Sequence, residues 1–372
     1  MCSWNKIVTK LRRPKSSLQN LYFKSSYKLK RNFLLILFAS LAALVYSFDY
    51  FYEAYIRDPF LFDTYLCPKQ RSGVDNEHGA DTAVNVSSNL IKVCQNEVTY
   101  ENELAVWSMI SDDHLKYAVG AAKLLKSLDI HSGLTHNNGK RKFDALIMML
   151  AEKPLESRVR AYLESVGWRI CQVKRIAPRD EANTYGRYRD QFTKLNLWLA
   201  TEYTANYYMD ADTLIVRSLV GSSFFSLHQR LSDKFRLGAT RDFYGHSWQT
   251  TFNLGVFVLK PDRSEFARLI RLKDDPQFKF VTTMSEQGFL NVVYDRQWFD
   301  IGFENNANLV VYKRAKEYWR ERANAVRVIH FTMVKPWACD WAWGGDGSRW
   351  WWWRREYEEP CNVWRDFDHC SG

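Results

Sequence analysis

YYMDADTLIV, residues 207–216, runs an apolar segment of strand length into two aspartates one residue apart, Asp210 and Asp212, and a second apolar run starts at once. Strands and helices alternate on both sides of it. Upstream, ELAVWSMI (103–110) ends in the polar cluster Ser111, Asp112 and Asp113, and Leu115, Ala118, Ala122, Leu125 and Leu128 then repeat at helical spacing. Residues 143–150 form an apolar run of strand length. Residues 155–166 are helix-like and stop at Gly167, and 168–173 are strand-like. Residues 192–203 are expected to form an amphipathic helix with Leu195, Leu199 and Tyr203 on one side. Further strands are expected at 254–259 and 326–331, and helices at 264–272 and 285–294. This alternation predicts an α/β fold, a single domain whose mostly parallel central sheet is covered on both faces.

Charge and hydropathy add a second layer. The chain carries 52 Lys and Arg against 42 Asp and Glu. Nine of the basic groups lie in residues 1–32, which hold no acidic ones, so the rest is balanced at 43 against 42. A folded part without basic excess argues against nucleic-acid binding. Between Phe33 and Phe48 no side chain is charged at neutral pH. As a helix this run rises about 24 Å, short for an average bilayer and suited to a thinner internal one. Tyr50, Phe51, Tyr52 and Tyr55 follow it as an interfacial belt. The long basic flank and the absence of a small-residue cleavage site predict a retained signal-anchor, with the C-terminal bulk lumenal. Cys67, Cys94, Cys171, Cys339, Cys361 and Cys370 then fall where disulfides form, their pairing left open. Asn85-Val86-Ser87 is a glycosylation acceptor in a polar linker.

Two carboxylates at the carboxyl end of a strand can grip a hard divalent cation that shares phosphate oxygens. In a secretory compartment the natural phosphate partner is a sugar-nucleotide diphosphate. Asp366-Phe367-Asp368 has the same spacing but no strand before it, and reads as solvated surface.

FTKLNLW, YYMDADTLIVRSL, FNLGVFVLKPD, SEQGFLN and VIHFTMVKPW, in this order, resemble the glycogenin-like family 8 glycosyltransferases, retaining enzymes of GT-A fold. The resemblance covers about residues 104–337. The spacing and aromatic tail after KPW are similar to those of plant xylan glucuronosyltransferases. The resemblance implies that Asp210, Asp212 and His330 ligate Mn2+ (or Mg2+) and that Lys335 reaches the diphosphate. It implies that Ser111 and Asp112 hold the uridine, that Ala211, Asn253 and Lys194 line the donor site, and that Glu286 and Gln287 sit beside the transferred sugar. Leu254 stands where the family often has Ser or Ala, which predicts an altered sugar pocket; Glu286 stands where it often has Asp. Each residue also has a plainer reading: a core histidine, surface or helix lysines, and helix caps at Ser111 and Ser285.

Residues 1–32 are thus expected as a cytosolic tail, 33–48 as the transmembrane anchor, 49–96 as stem, 97–345 as the glycosyltransferase domain and 346–372 as a Trp-rich extension. Eight of fifteen tryptophans fall within 337–364. They suit a glycan-stacking platform, an interfacial helix, or packing over the domain. The functional expectation is a Golgi membrane enzyme moving a sugar from a UDP-sugar to a glycan or glycolipid acceptor. UDP-glucuronate is favoured because Arg187 and Arg189 precede FTKL. UDP-glucose, UDP-galactose and UDP-N-acetylglucosamine stay open, as does a non-catalytic lumenal lectin or assembly subunit.

Overall fold

The computed structural model describes residues 92–111, 115–136, 139–332, 335–337 and 357–367. The run 33–48, Asn85, Asp112 and the tryptophans at 341–353 lie outside them. Among the described residues no helix is long and apolar enough to cross a membrane.

In chain order the elements are β1 (Leu104–Ile110), α1 (Leu115–His131), β2 (Asp144–Leu150), α2 (Ser157–Ser165), β3 (Arg169–Val173), β4 (Ala205–Met209), β5 (Thr213–Ile215), β6 (Leu237–Tyr244), β7 (Ser247–Leu259), α3 (Arg263–Asp274), α4 (Ser285–Val293), β8 (Trp298–Asp300), β9 (Ala307–Asn308), α5 (Leu309–Arg314), α6 (Lys316–Arg322), β10 (Val328–His330) and α7 (Glu358–Asp366). Seven strands form one sheet in the order β3-β2-β1-β4-β7-β6-β8, and β5-β10-β9 form a second, smaller one. Pairing in the large sheet is parallel except where β7 meets β4 and β6. This is the mostly parallel α/β sheet expected of the sequence. Gly167, at φ +101°, follows α2 and turns the chain into β3 as the helix-stop signal predicts.

The apolar runs are continuous because both sheet faces are covered. Val106, Ile147, Tyr207 and Val258 face a core shared with α1 and α2. Their neighbours Trp107, Met148, Tyr208 and Phe257 face a second core on the opposite side. That second core changes one expectation. Residues 192–203 do not form an amphipathic helix; Gln191–Leu199 is a 3-10 segment with Phe192 through Leu199 all buried. It packs against α3 and α4 and so has no solvent face. Its polar members are satisfied internally: Asn196 Nδ2 donates to the carbonyls of Lys174 (3.0 Å) and Thr193 (2.9 Å).

Val93 and Cys94, in the segment assigned to the stem, are buried in this core, and Cys94 is disulfide-bonded to Cys171 on β3. The following residues line the open edge of β3. Gln95 N donates to Gln172 O (2.7 Å), Asn96 Nδ2 to Ile170 O (2.8 Å), and Gln172 N to Asn96 Oδ1 (2.8 Å). At the start of β2, Asp144 is wholly buried. It accepts from Glu101 N (2.9 Å), Asn102 Nδ2 (2.7 Å) and the Tyr203 hydroxyl (2.9 Å), and pairs with Arg169 at 2.5 Å.

The described part of the aromatic tail packs on the domain. Trp364 of α7 is fully buried and meets Phe331 edge-on at 5.5 Å. Lys123 of α1 donates to its carbonyl (2.9 Å) and lies 4.3 Å from its ring. Of the three readings of the tail, packing therefore holds for 357–367. Asp366 is exposed, as a solvated acid should be.

Candidate active site

Strand topology assembles the acidic site. β4 ends at Met209, and Asp210 N donates to Gly255 O (2.8 Å) on the neighbouring β7. A tight turn follows, closed by Thr213 N and Thr213 Oγ1 on Asp210 O (3.0 and 2.7 Å). β5 then pairs antiparallel with β10, so that His330 stands opposite Thr213. One side chain more than a hundred residues away thus lands beside Asp210 and Asp212. His330 Nε2 is 3.5 Å from Asp212 Oδ1 and 3.7 Å from Asp210 Oδ2. One ligand atom from each of the three lies within 4.8 Å of the others. The imidazole lies over Gly255: a Cβ there would come within 2.0 Å of His330 Cε1, so any larger residue would displace the ring. Two carboxylates and a nitrogen converging in a buried cradle fit a divalent cation.

Cations of the protein surround this cluster. Lys335 pairs with Asp212 Oδ2. Burial alone would raise the Asp212 carboxyl, but Lys335 and His330 outweigh it and hold the group well below the usual range. Lys194, almost wholly buried, lies 3.2 Å from both Asp210 Oδ1 and Glu286 Oε1. Burial would lower the Lys194 ammonium, yet the two carboxylates raise it above its ordinary value. Burial pushes the Glu286 carboxyl up, against the pull of Lys194. The Tyr208 hydroxyl donates to Asp210 Oδ1 (2.8 Å), its ring stacked on Phe257. Lys194, expected on a helix, is here the buried counter-ion that joins Asp210 to Glu286.

The other expected residues fall around this centre. Asn253 and Gly255 project from β7 toward the site, and Gln287 on α4 accepts from Leu254 N (3.1 Å). Ala211 is buried within the turn. Ser111 follows β1, which runs parallel to β4, so it lies at the same carboxyl edge as Asp210. Leu254 differs from expectation: its side chain is buried in the core on the far face of β7, because neighbours on a strand alternate, and it does not shape the pocket. Arg187 and Arg189 are exposed, Arg187 lying 4.6 Å over the Tyr188 ring.

Two residues escaped the sequence reading. Asp242 on β6 accepts from Gln287 Nε2 (3.1 Å), and Asn306 contacts His330 and Asn253. The signal available for Asp242 was an acid inside a strand-length run. Burial pushes its carboxyl up to about 6. An ionised Asp242 is the better acceptor for Gln287, so activity should rise through about pH 6, and Asp242→Asn should flatten that limb in a pH–rate profile. Stability moves the other way. Folded Asp242 holds its proton where the unfolded carboxyl, near 3.9, has lost it, so its contribution falls as pH rises between about 4 and 6.

No protein-family model matches the chain. It is similar to UDP-glucuronate:xylan alpha-glucuronosyltransferase 1 of Arabidopsis thaliana, 26% identical over 205 residues, 52% of this chain and 28% of that one. It is 28% identical to human glycogenin-1 over 233 residues, 59% of each chain. With galactinol synthase 1 of Solanum lycopersicum it shares 26% identity over 249 residues, 60% of this chain and 70% of that one. The chain spans less than two thirds of the glucuronosyltransferase and of the glycogenin. The apo crystal structure of mouse xyloside xylosyltransferase 1 overlays on 61% of this chain and 97% of that one, at 12% identity and a TM-score of 0.41. The order of motifs around Asp210 and the sequence relatives agree: over more than half its length the chain is similar to the glycogenin-like glycosyltransferases.

Proposed function

We propose that the chain is a retaining glycosyltransferase that takes a sugar from a UDP-sugar and passes it to a glycan or glycolipid acceptor. The observation that carries this reading is the convergence of Asp210, Asp212 and His330 at the carboxyl edge of the sheet, with Lys335 in contact with Asp212. These residues would hold Mn2+ or Mg2+, which when bound neutralises charge on a departing diphosphate. Lys335 supplies a further positive charge for phosphate oxygens. Glu286, held by Lys194, is the carboxylate that the family resemblance puts beside the transferred sugar, where positive charge would develop as its bond to the diphosphate opens. Retention follows from a covalent adduct on a carboxylate or from same-face attack, with Glu286 the carboxylate to test. An intact acidic and basic set favours turnover over a lectin role.

UDP-glucuronate is the donor proposed first, on the resemblance to xylan glucuronosyltransferases and the basic pair Arg187 and Arg189. Full-length protein scanned by thermal shift against UDP-glucuronate, UDP-glucose, UDP-galactose and UDP-N-acetylglucosamine, with Mn2+ and with EDTA, should single out one donor. A ligand at a hundred times its Kd adds about 2.7 kcal/mol. No stabilisation by any of the four in Mn2+ would defeat the proposal.

The setting proposed is the Golgi membrane, with residues 33–48 as anchor and the domain lumenal. The Cys94–Cys171 bond suits an oxidising compartment. Peptide-N-glycosidase should then shift the protein's mobility through Asn85; unchanged mobility counts against that topology.

A further inference from the structure

We infer that Asn306 is a positioning residue that fixes which nitrogen of His330 faces the two aspartates. The inference rests on the metal reading proposed above, but the residue and its role come from a directional chain of hydrogen bonds.

The chain starts at a donor that has no choice. Gly255 N–H is a backbone group, and it points at Asn253 Oδ1 (2.9 Å). That contact orients the Asn253 carboxamide, because its amino end could not accept. Asn306 approaches the same oxygen at 3.0 Å, so Asn306 must present its Nδ2 there. Its Oδ1 is then turned toward His330 Nδ1, 2.9 Å away. An oxygen facing that nitrogen requires Nδ1 to carry the proton. The remaining nitrogen, Nε2, is the one that faces Asp210 and Asp212. A ligating imidazole needs this arrangement, with the far nitrogen held by a neighbour and the near one offering its lone pair.

Beside this relay the Gln287 carboxamide is oriented by the same kind of contact, its Oε1 accepting from Leu254 N and its Nε2 donating to Asp242. Gly255 N–H can only donate, so the relay from Asn253 through Asn306 to His330 cannot reverse its polarity. Asn306 and His330 are 1% and 4% exposed, so water does not substitute for either partner. Asn306 reaches its place through β9, which pairs in parallel with β10, His330 standing opposite Asn308.

The test is Mn2+ binding alone, titrated by electron paramagnetic resonance on the purified full chain in detergent. His330→Ala and Asn306→Leu should each weaken Mn2+ binding about 10- to 100-fold. Asn306→Asp keeps the volume and still accepts from Nδ1, so it should bind Mn2+ within about threefold of wild type. It should nonetheless lower Tm, since its second oxygen now faces Asn253 Oδ1. A merely structural role predicts that metal affinity follows stability, and so that both variants lose metal. Wild-type affinity in Asn306→Leu, or a loss in Asn306→Asp as large as in the leucine variant, would overturn the inference. If His330→Ala itself binds Mn2+ as wild type does, the metal assignment fails and this inference with it. The unmodified protein gives an independent reading with diamagnetic Mg2+. Nitrogen NMR of the His330 ring, assigned by its loss in His330→Gln, should show a proton on Nδ1 and none on Nε2, and the reverse overturns the assignment.

Discussion

Asp212→Ala should cut Mn2+-dependent UDP release by about three orders of magnitude or more while leaving the protein folded. Asp212, as buried as His330 and more enclosed than Asp210, is touched by both His330 and Lys335. Its loss removes one of the proposed metal ligands and leaves Lys335 without its carboxylate partner. Binding of metal and of diphosphate should therefore fail together. The main-chain contact that seats the strand, Phe331 N to Asp212 O, is kept, so the fold has no reason to open. Asp212→Asn, which preserves shape and removes only charge, should be nearly as inactive. UDP release measured with Mn2+ on variants checked by circular dichroism decides the matter. A folded variant that keeps a tenth of wild-type activity would break the link between this residue and the chemistry.

The second large effect is on stability and lies far from the site. Asp144→Ala should destabilise the protein by about 3 kcal/mol, lowering Tm by roughly 6–12 °C. The carboxylate is wholly buried and ties together the approach to β1, the start of β3 and Tyr203. Truncating it strands the Tyr203 hydroxyl and two amide donors and leaves the Arg169 guanidinium with only its contacts to Thr99 and Glu101. Arg169 keeps partial access to solvent, which places the expected cost at the lower end of the range for a broken buried pair. Calorimetry of the variant tests this, and a change of Tm under about 2 °C would show that the knot is held by something else.

The fold was legible wherever one physical rule governed a segment. Residues 145–150 and 207–209 are apolar without interruption because helices cover both sheet faces, and α1 shows its spacing because one face of it meets the sheet. The rule failed at 191–199, where Leu195 and Leu199 mimic a helical stripe. Burial there is all-round, and Lys194 and Asn196 are inside because each is fully partnered. In the site, Asp210 and Asp212 announce themselves at the end of a strand, and His330 by its distance from Lys335 and Trp337. Asp242 and Asn306 carry no such mark. An acid inside a strand and an asparagine among asparagines gain meaning only once β6, β7 and β9 are laid side by side. Leu254 misled because strand alternation, not neighbourhood in the chain, decides which side chain enters a pocket.

The short stretch that Cys94 staples along β3 has a bearing on how copies of this molecule behave next to one another. An uncovered outermost strand offers its amide ladder to any passing strand, and so seeds self-association. Here Gln95 and the carboxamide of Asn96 occupy that ladder in advance. Made where thiols stay reduced, the polypeptide would lose the staple, the flap would peel away, and clumping would begin at that margin before the domain itself unfolds.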